Sequence, residues 1–271
     1  MKILTKSEYS SKRDKFILDK ICLNIEDDKE IFNSLVKKIS KYDEENAEIM
    51  NILFYYDKKI VLKFDNVLIS KYEYEYFEKI INLNNFINYY CNVKFNDEID
   101  KYFHNLLSEK FFKKNINYFI VMKYYELGSI YTYPWTKNNF NVLKNVIKQT
   151  LYTLIQLNNT YGYIYINLHC ANVLLKYKLN KYIIYDKKKI SILKYEVLIN
   201  DYDKIINHIQ LKQNNILLIQ TIYYFLNSIC DNNIFTLRLD YDYKKLLKLN
   251  NLYNINMYNE INKIINTIII L

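Results

Sequence analysis

Tyr165-Ile166-Asn167-Leu168-His169-Cys170-Ala171-Asn172-Val173-Leu174-Leu175 is the stretch on which the reading of the fold turns. With Asn167 and Asn172 in it, the stretch reads as a loop. Before it, Phe140, Leu143, Ile147, Leu151 and Leu154 recur at steps of three and four, so a helix is predicted over Asn138 to Asn158. Pro134 precedes that helix, and Gly162 permits the turn that ends it.

Downstream, the β-branched content of Tyr182 to Tyr185 and Ile190 to Ile192 predicts two small strands, and Val197-Leu198-Ile199 a further one. That strand leads into Asn200-Asp201-Tyr202-Asp203, and helices are expected from there to the C-terminus. Upstream, Tyr118 to Met122 reads as a buried strand entering the turn Glu126-Leu127-Gly128-Ser129. Ile49 to Tyr56 and Ile60 to Phe64, joined at Asp57-Lys58-Lys59, read as a β-hairpin with Lys63 near its end. Tyr72 to Leu83 carries Tyr76, Phe77, Ile80 and Ile81 on one side and suits an amphipathic helix. Phe86 to Val93 returns to strand-like content, and a second charged helix is expected around Asp100 to Phe112. Residues 1–48, charged and weakly helical, read as an N-terminal extension. This order of elements is α+β.

The 271 residues, 51% of them hydrophobic, are enough to bury a sizeable core in one large domain or two joined lobes. Thirty tyrosines against two glycines and one proline point to an AT-rich coding sequence. The same bias feeds the lysine count, so a net charge of +9 spread along the chain is weak evidence for a nucleic-acid partner, and direct nucleic-acid binding is not expected. Cys22, Cys91, Cys170 and Cys230 form no C-x-x-C pair, which suggests neither a zinc cluster nor a disulfide framework. The N-terminus lacks an apolar signal core and Ile268 to Leu271 is too short to span a bilayer, so an intracellular protein with no membrane partner is expected, in the nucleus or cytoplasm.

Leu168, His169, Asn172, Val173, Leu174 and Leu175 match the second half of the pattern H-R-D-L-H-x-x-N-V-L-L, and Asp201-Tyr202 stands where a D-Y-T motif would follow. In these residues the chain resembles the haspin type of serine/threonine protein kinase. The insert from Lys176 to Ile199, the hinge-like Ile120 to Gly128 and the helical Asn215 to Ile219 extend the likeness over roughly residues 50 to 265. The resemblance implies a two-lobed fold, with a small β-rich N-lobe at 49–125 and a mostly helical C-lobe with a reduced activation segment at 126–271.

It also implies ATP and Mg2+ as cofactors and a protein hydroxyl as phosphoryl acceptor, a histone tail in chromatin being one candidate. Lys63 stands where a phosphate-binding lysine belongs, Glu73 at the distance of its carboxylate partner with Glu75 as a competing choice, and Asn172 and Asp201 where magnesium is held. Two departures matter. Asn167 occupies the place of the catalytic aspartate, and no glycine precedes Gly128, so no glycine-rich loop can cover the phosphates. A neutral amide is a negligible base, so impaired transfer is expected, with a catalytically silent pseudokinase as the alternative and a basic nucleic-acid-binding helical protein as the second. Plainer readings stand beside these: a solvated edge lysine for Lys63, a surface acid for Glu73, a packed structural His169, and a polar turn at Asp201.

Overall fold

The computed structural model describes residues 49–55, 58–66, 76, 79–80, 83, 85–87, 89–94, 116–202, 205–207, 214–231, 237–239 and 255–270. The chain divides into two compact units, the second comprising Glu78–Phe86 and Tyr125–Leu271 and the first the remainder. Glu78–Phe86 thus goes with the second unit.

In the first unit, β1 (Ile49–Tyr55), β2 (Lys58–Asn66), β3 (Tyr89–Lys94) and β4 (Ile116–Lys123) form an antiparallel sheet in the order β1-β2-β4-β3. The expected hairpin is present, with Ile49 opposite Phe64 and Tyr55 opposite Lys58. β2 is a central strand, so Lys63 faces Met50 on one side and Ile120 on the other. Val61 and Lys63 share one face of β2 by strand alternation, as do their partners Met122 and Ile120 on β4, and all four are buried. Lys63 is therefore no solvated edge lysine. The helix expected at Asp100 to Phe112 and the extension 1–48 lie outside the described residues; of Tyr72 to Leu83, Tyr76, Lys79 and Ile80 are helical.

The second unit is built on α1 (Phe140–Tyr161), two residues offset from its predicted start and stopped by Gly162 in the left-handed conformation at φ 64. From Val146 to Ile155 only Lys148 escapes burial, so the helix is packed nearly all round. Its buried hydroxyls return to the helix itself: Thr150 Oγ1 donates to Val146 O at 3.0 Å and Thr153 Oγ1 to Gln149 O at 2.9 Å. Against α1 pack α2 (Asn214–Asp231) and α3 (Ile255–Thr267), the latter through Tyr152 and Tyr258, whose rings meet edge-on at 4.5 Å.

Among the described residues, four two-stranded antiparallel sheets complete this unit. β5 (Tyr163–Tyr165) pairs with β10 (Ile205–Asn207), β6 (Val173–Tyr177) with β9 (Tyr195–Ile199), β7 (Tyr182–Tyr185) with β8 (Lys188–Ser191), and β11 (Leu237–Leu239) with β12 (Ile268–Ile270). The described residues thus have an α+β architecture. One expectation needs correction: the C-terminal part is not helical only, because the isoleucine run at 268–270 is β-branched and finds Leu237–Leu239 as a partner strand.

Candidate functional site

The loop from Tyr165 to Asn172 is pinned at both ends to α2. At its start β5 pairs Tyr165 with Ile205, and Thr221 Oγ1 donates to Tyr165 O at 2.6 Å. At its end Cys170–Asn172 makes a single 3-10 turn, where Cys170 N donates to Ser228 Oγ at 2.9 Å and Cys170 Sγ to Ser228 O at 3.3 Å. Between the anchors, Leu168 is buried while Asn167 and His169 are exposed. Asn167 has φ 56, a left-handed backbone that asparagine adopts more readily than most residues.

Asp201 is delivered by β9. That strand pairs with β6 along one edge, from Val173 opposite Ile199 to Tyr177 opposite Tyr195. Its other edge is closed by the side-chain amides of Gln149 and Asn85 and, at Ile199, by the Asn85 backbone. Gln149 Nε2 donates to Tyr195 O at 2.8 Å and its Oε1 accepts from Val197 N at 3.3 Å. Asn85 continues the ladder, donating from Nδ2 to Val197 O at 2.8 Å and accepting from Ile199 N on its own carbonyl at 2.7 Å. Every outward backbone group named here is satisfied, which leaves β9 with no open edge over that length. The far edge of β6 is closed as well, because Leu175 N donates to Gly128 O and Ile130 N to Val173 O.

At the end of this braced strand the chain turns, with Asp201 at φ 73 and 2% exposed. Tyr202 follows it into the core and stacks on Phe86 at 5.7 Å. Asn172 Nδ2 donates to Asp201 Oδ2 at 3.2 Å and to Tyr165 Oη, also at 3.2 Å. Tyr165 Oη donates in turn to Asn200 O at 2.8 Å, and Asn200 N donates to Asn172 O at 2.9 Å. Tyr165, Asn172, Asn200 and Asp201 thus form one hydrogen-bonded cluster that ties the loop to the end of β9.

No protein-family model and no curated protein matches the chain.

A buried carboxylate is costly unless paired, so the amide of Asn172 stabilises the charged form of Asp201 directly. The pair offers one carboxylate and one amide carbonyl, an oxygen donor set that suits a magnesium ion otherwise held by water and phosphates. With Nδ2 turned to Asp201 and Tyr165, Asn172 Oδ1 takes part in neither bond. The opposite amide orientation would set Oδ1 against the carboxylate, which is tolerable with a cation between them. No cluster of three or more His, Cys, Asp or Glu that could hold a metal occurs among the described residues.

Of the residues singled out in the sequence, Asn167, Asn172 and Asp201 belong to this loop-and-turn region of the second unit, Asn172 and Asp201 in contact. Lys63 belongs to β2 of the first unit, and Glu73 and Glu75 lie outside the described residues. His169 is exposed where a packed side chain was the plainer expectation. Tyr165, Asn85, Gln149, Thr221 and Ser228 were not singled out.

Proposed function

We propose that the chain is a protein-kinase-like module of the haspin type that binds ATP with magnesium through Asn172 and Asp201 and transfers phosphoryl groups poorly. The observation that carries this reading is the Asn172–Asp201 contact, in which two residues expected to hold one metal meet across a span of 29 residues at 3.2 Å. Magnesium bound there would neutralise phosphate charge. The reading takes the β1–β4 unit as the N-lobe and the helical unit as the C-lobe, with Lys63 as the phosphate lysine.

Asn167 supports weak chemistry. Its exposed amide can orient an incoming hydroxyl by hydrogen bonding but accepts no proton at neutral pH, and positioned base catalysis is worth about 10²–10⁴-fold. A nucleotide-binding module that acts through protein contacts, without transfer, is the second reading, favoured by that same residue. Thermal melting of the full chain with ATP and Mg2+, beside radiolabel transfer to a histone-tail peptide, separates the two. Stabilisation with slow transfer supports the first, stabilisation without transfer the second, and neither effect removes both.

A further inference from the structure

Among the described residues seven large hydrophobic side chains are exposed, and five of them, Tyr177, Leu179, Tyr182, Ile184 and Leu193, fall on the β7–β8 hairpin or its immediate flanks. The register explains the hairpin's share. Ile183, Tyr185 and Ile190 turn inward and are buried, so Tyr182 and Ile184 alternate onto the outer face, opposite Ser191 and Lys189. Ile192 N donates to Lys181 O at 2.9 Å and closes the root, from which Leu179 and Leu193 extend the apolar surface.

The charge on this segment is one-sided. Residues 176–196 contain seven lysines and two acids, a difference of five positive charges. Both acids are already engaged: Glu196 is buried and paired with Lys176 at 2.8 Å, and Asp186 accepts from Tyr258 Oη at 2.6 Å and from Asn159 Nδ2 at 3.1 Å. Lys181, Lys187, Lys189 and Lys194 are exposed.

We propose that this face docks peripherally on an anionic lipid surface, its leucine, isoleucine and tyrosine side chains entering the headgroup region while the lysines meet acidic headgroups. A second copy of the chain is disfavoured by like charge. A protein partner is disfavoured because lysine is depleted from protein interface cores. Nucleic acid would use aromatic faces, yet the ring of Tyr182 is covered by Lys189 Nζ at 3.5 Å, and exposed Leu179, Ile184 and Leu193 offer bases no stacking. No described helix is long and apolar enough to cross a membrane, and none is needed for a contact of this kind.

The test is co-sedimentation of the full chain with vesicles of phosphatidylcholine containing phosphatidylserine, with phosphatidylcholine alone, and with single-stranded DNA as a competitor. Binding is expected to phosphatidylserine vesicles only, weakening as salt rises. The double variant Leu179→Ser, Ile184→Ser changes no charge and should lower the affinity by about tenfold or more. Leu179→Ser alone, at a side chain 68% exposed, provides a variant whose folding is not at stake. Equal binding by wild type and both variants would assign the effect to diffuse net charge and overturn the proposal. So would displacement by DNA of vesicles that the variants still bind, or failure of the wild type to sediment with phosphatidylserine.

Discussion

Asn172 and Asp201 stand 29 residues apart in the chain, and the side-chain amide of one donates to the carboxylate of the other at 3.2 Å. The span between them is not slack. It comprises β6, the β7–β8 hairpin and β9, and the return of β9 alongside β6 sets the two residues side by side.

Asp201→Asn should therefore leave the fold intact while removing the magnesium-dependent part of any nucleotide binding. A ligand at 100 times its dissociation constant stabilises by about 2.7 kcal/mol, so the ATP–Mg2+ melting shift should collapse toward that of the protein alone. A fall in unliganded stability with an unchanged ATP response would assign Asp201 a structural role only.

Asn167→Asp restores a proton acceptor at a position whose φ of 56 aspartate tolerates about as well as asparagine. Transfer to a peptide hydroxyl should rise by up to about 10²–10⁴-fold, with nucleotide affinity unchanged. Asn167→Val, a β-branched residue in a left-handed backbone, should instead cost about 1–2 kcal/mol of stability, measured by denaturant unfolding.

The edge of β9 makes a prediction independent of function. Gln149→Leu is close in size but leaves Tyr195 O and Val197 N without the partners described above, at about 1–3 kcal/mol for each orphaned group. Hydrogen exchange should locate the loss in β9, with Val197 N–H among the first to lose protection. Asn85→Ala should be as damaging, since it removes the donor to Val197 O, the acceptor for Tyr185 Oη and a residue suited to φ 69. Global loss of protection with no preference for β9 would mean that the amides do not brace that strand locally.

What was legible in the sequence follows from these contacts. Period and punctuation announced the β1–β2 hairpin, α1 and the strand before Asp201, because burial of one face or all faces leaves a hydrophobic signature. The chain has two glycines, and both sit at positive φ: Gly162 ends α1, and at Gly128 a Cβ would collide with Thr132 Oγ1. In so glycine-poor a sequence each was a reliable mark of a turn. The bracing of the site was not legible, because Gln149, Asn85, Thr221 and Ser228 act on backbone groups far away in sequence, and a side-chain-to-backbone bond imposes no pattern on its partner's residue type. β11 and β12 were missed for a related reason: three-residue strands are too short to show alternation, and the partners Leu237–Leu239 and Ile268–Ile270 are far from adjacent in the chain.

Alkaline pH should expose a last consequence of the packing. Burial holds the phenols of Tyr185 and Tyr258 well above the ordinary tyrosine range, Tyr258 further raised by its hydrogen bond to the Asp186 carboxylate. In the unfolded chain these groups lose their protons near pH 10, whereas the folded protein keeps them, so the native state binds more protons above that pH. The stability they contribute is fully present below about pH 10 and is lost as pH rises through the folded values. Absorbance at the phenolate band should therefore rise in two stages, exposed tyrosines first and the buried ones, Tyr185 and Tyr258 among them, together with the loss of helical circular dichroism. Tyr258→Phe should shrink the second stage and cost about 1–3 kcal/mol at neutral pH through the lost bond to a charged acceptor. A single smooth titration that leaves the circular dichroism intact would show that the two phenols ionise without unfolding, against the packing described for α1 and α3.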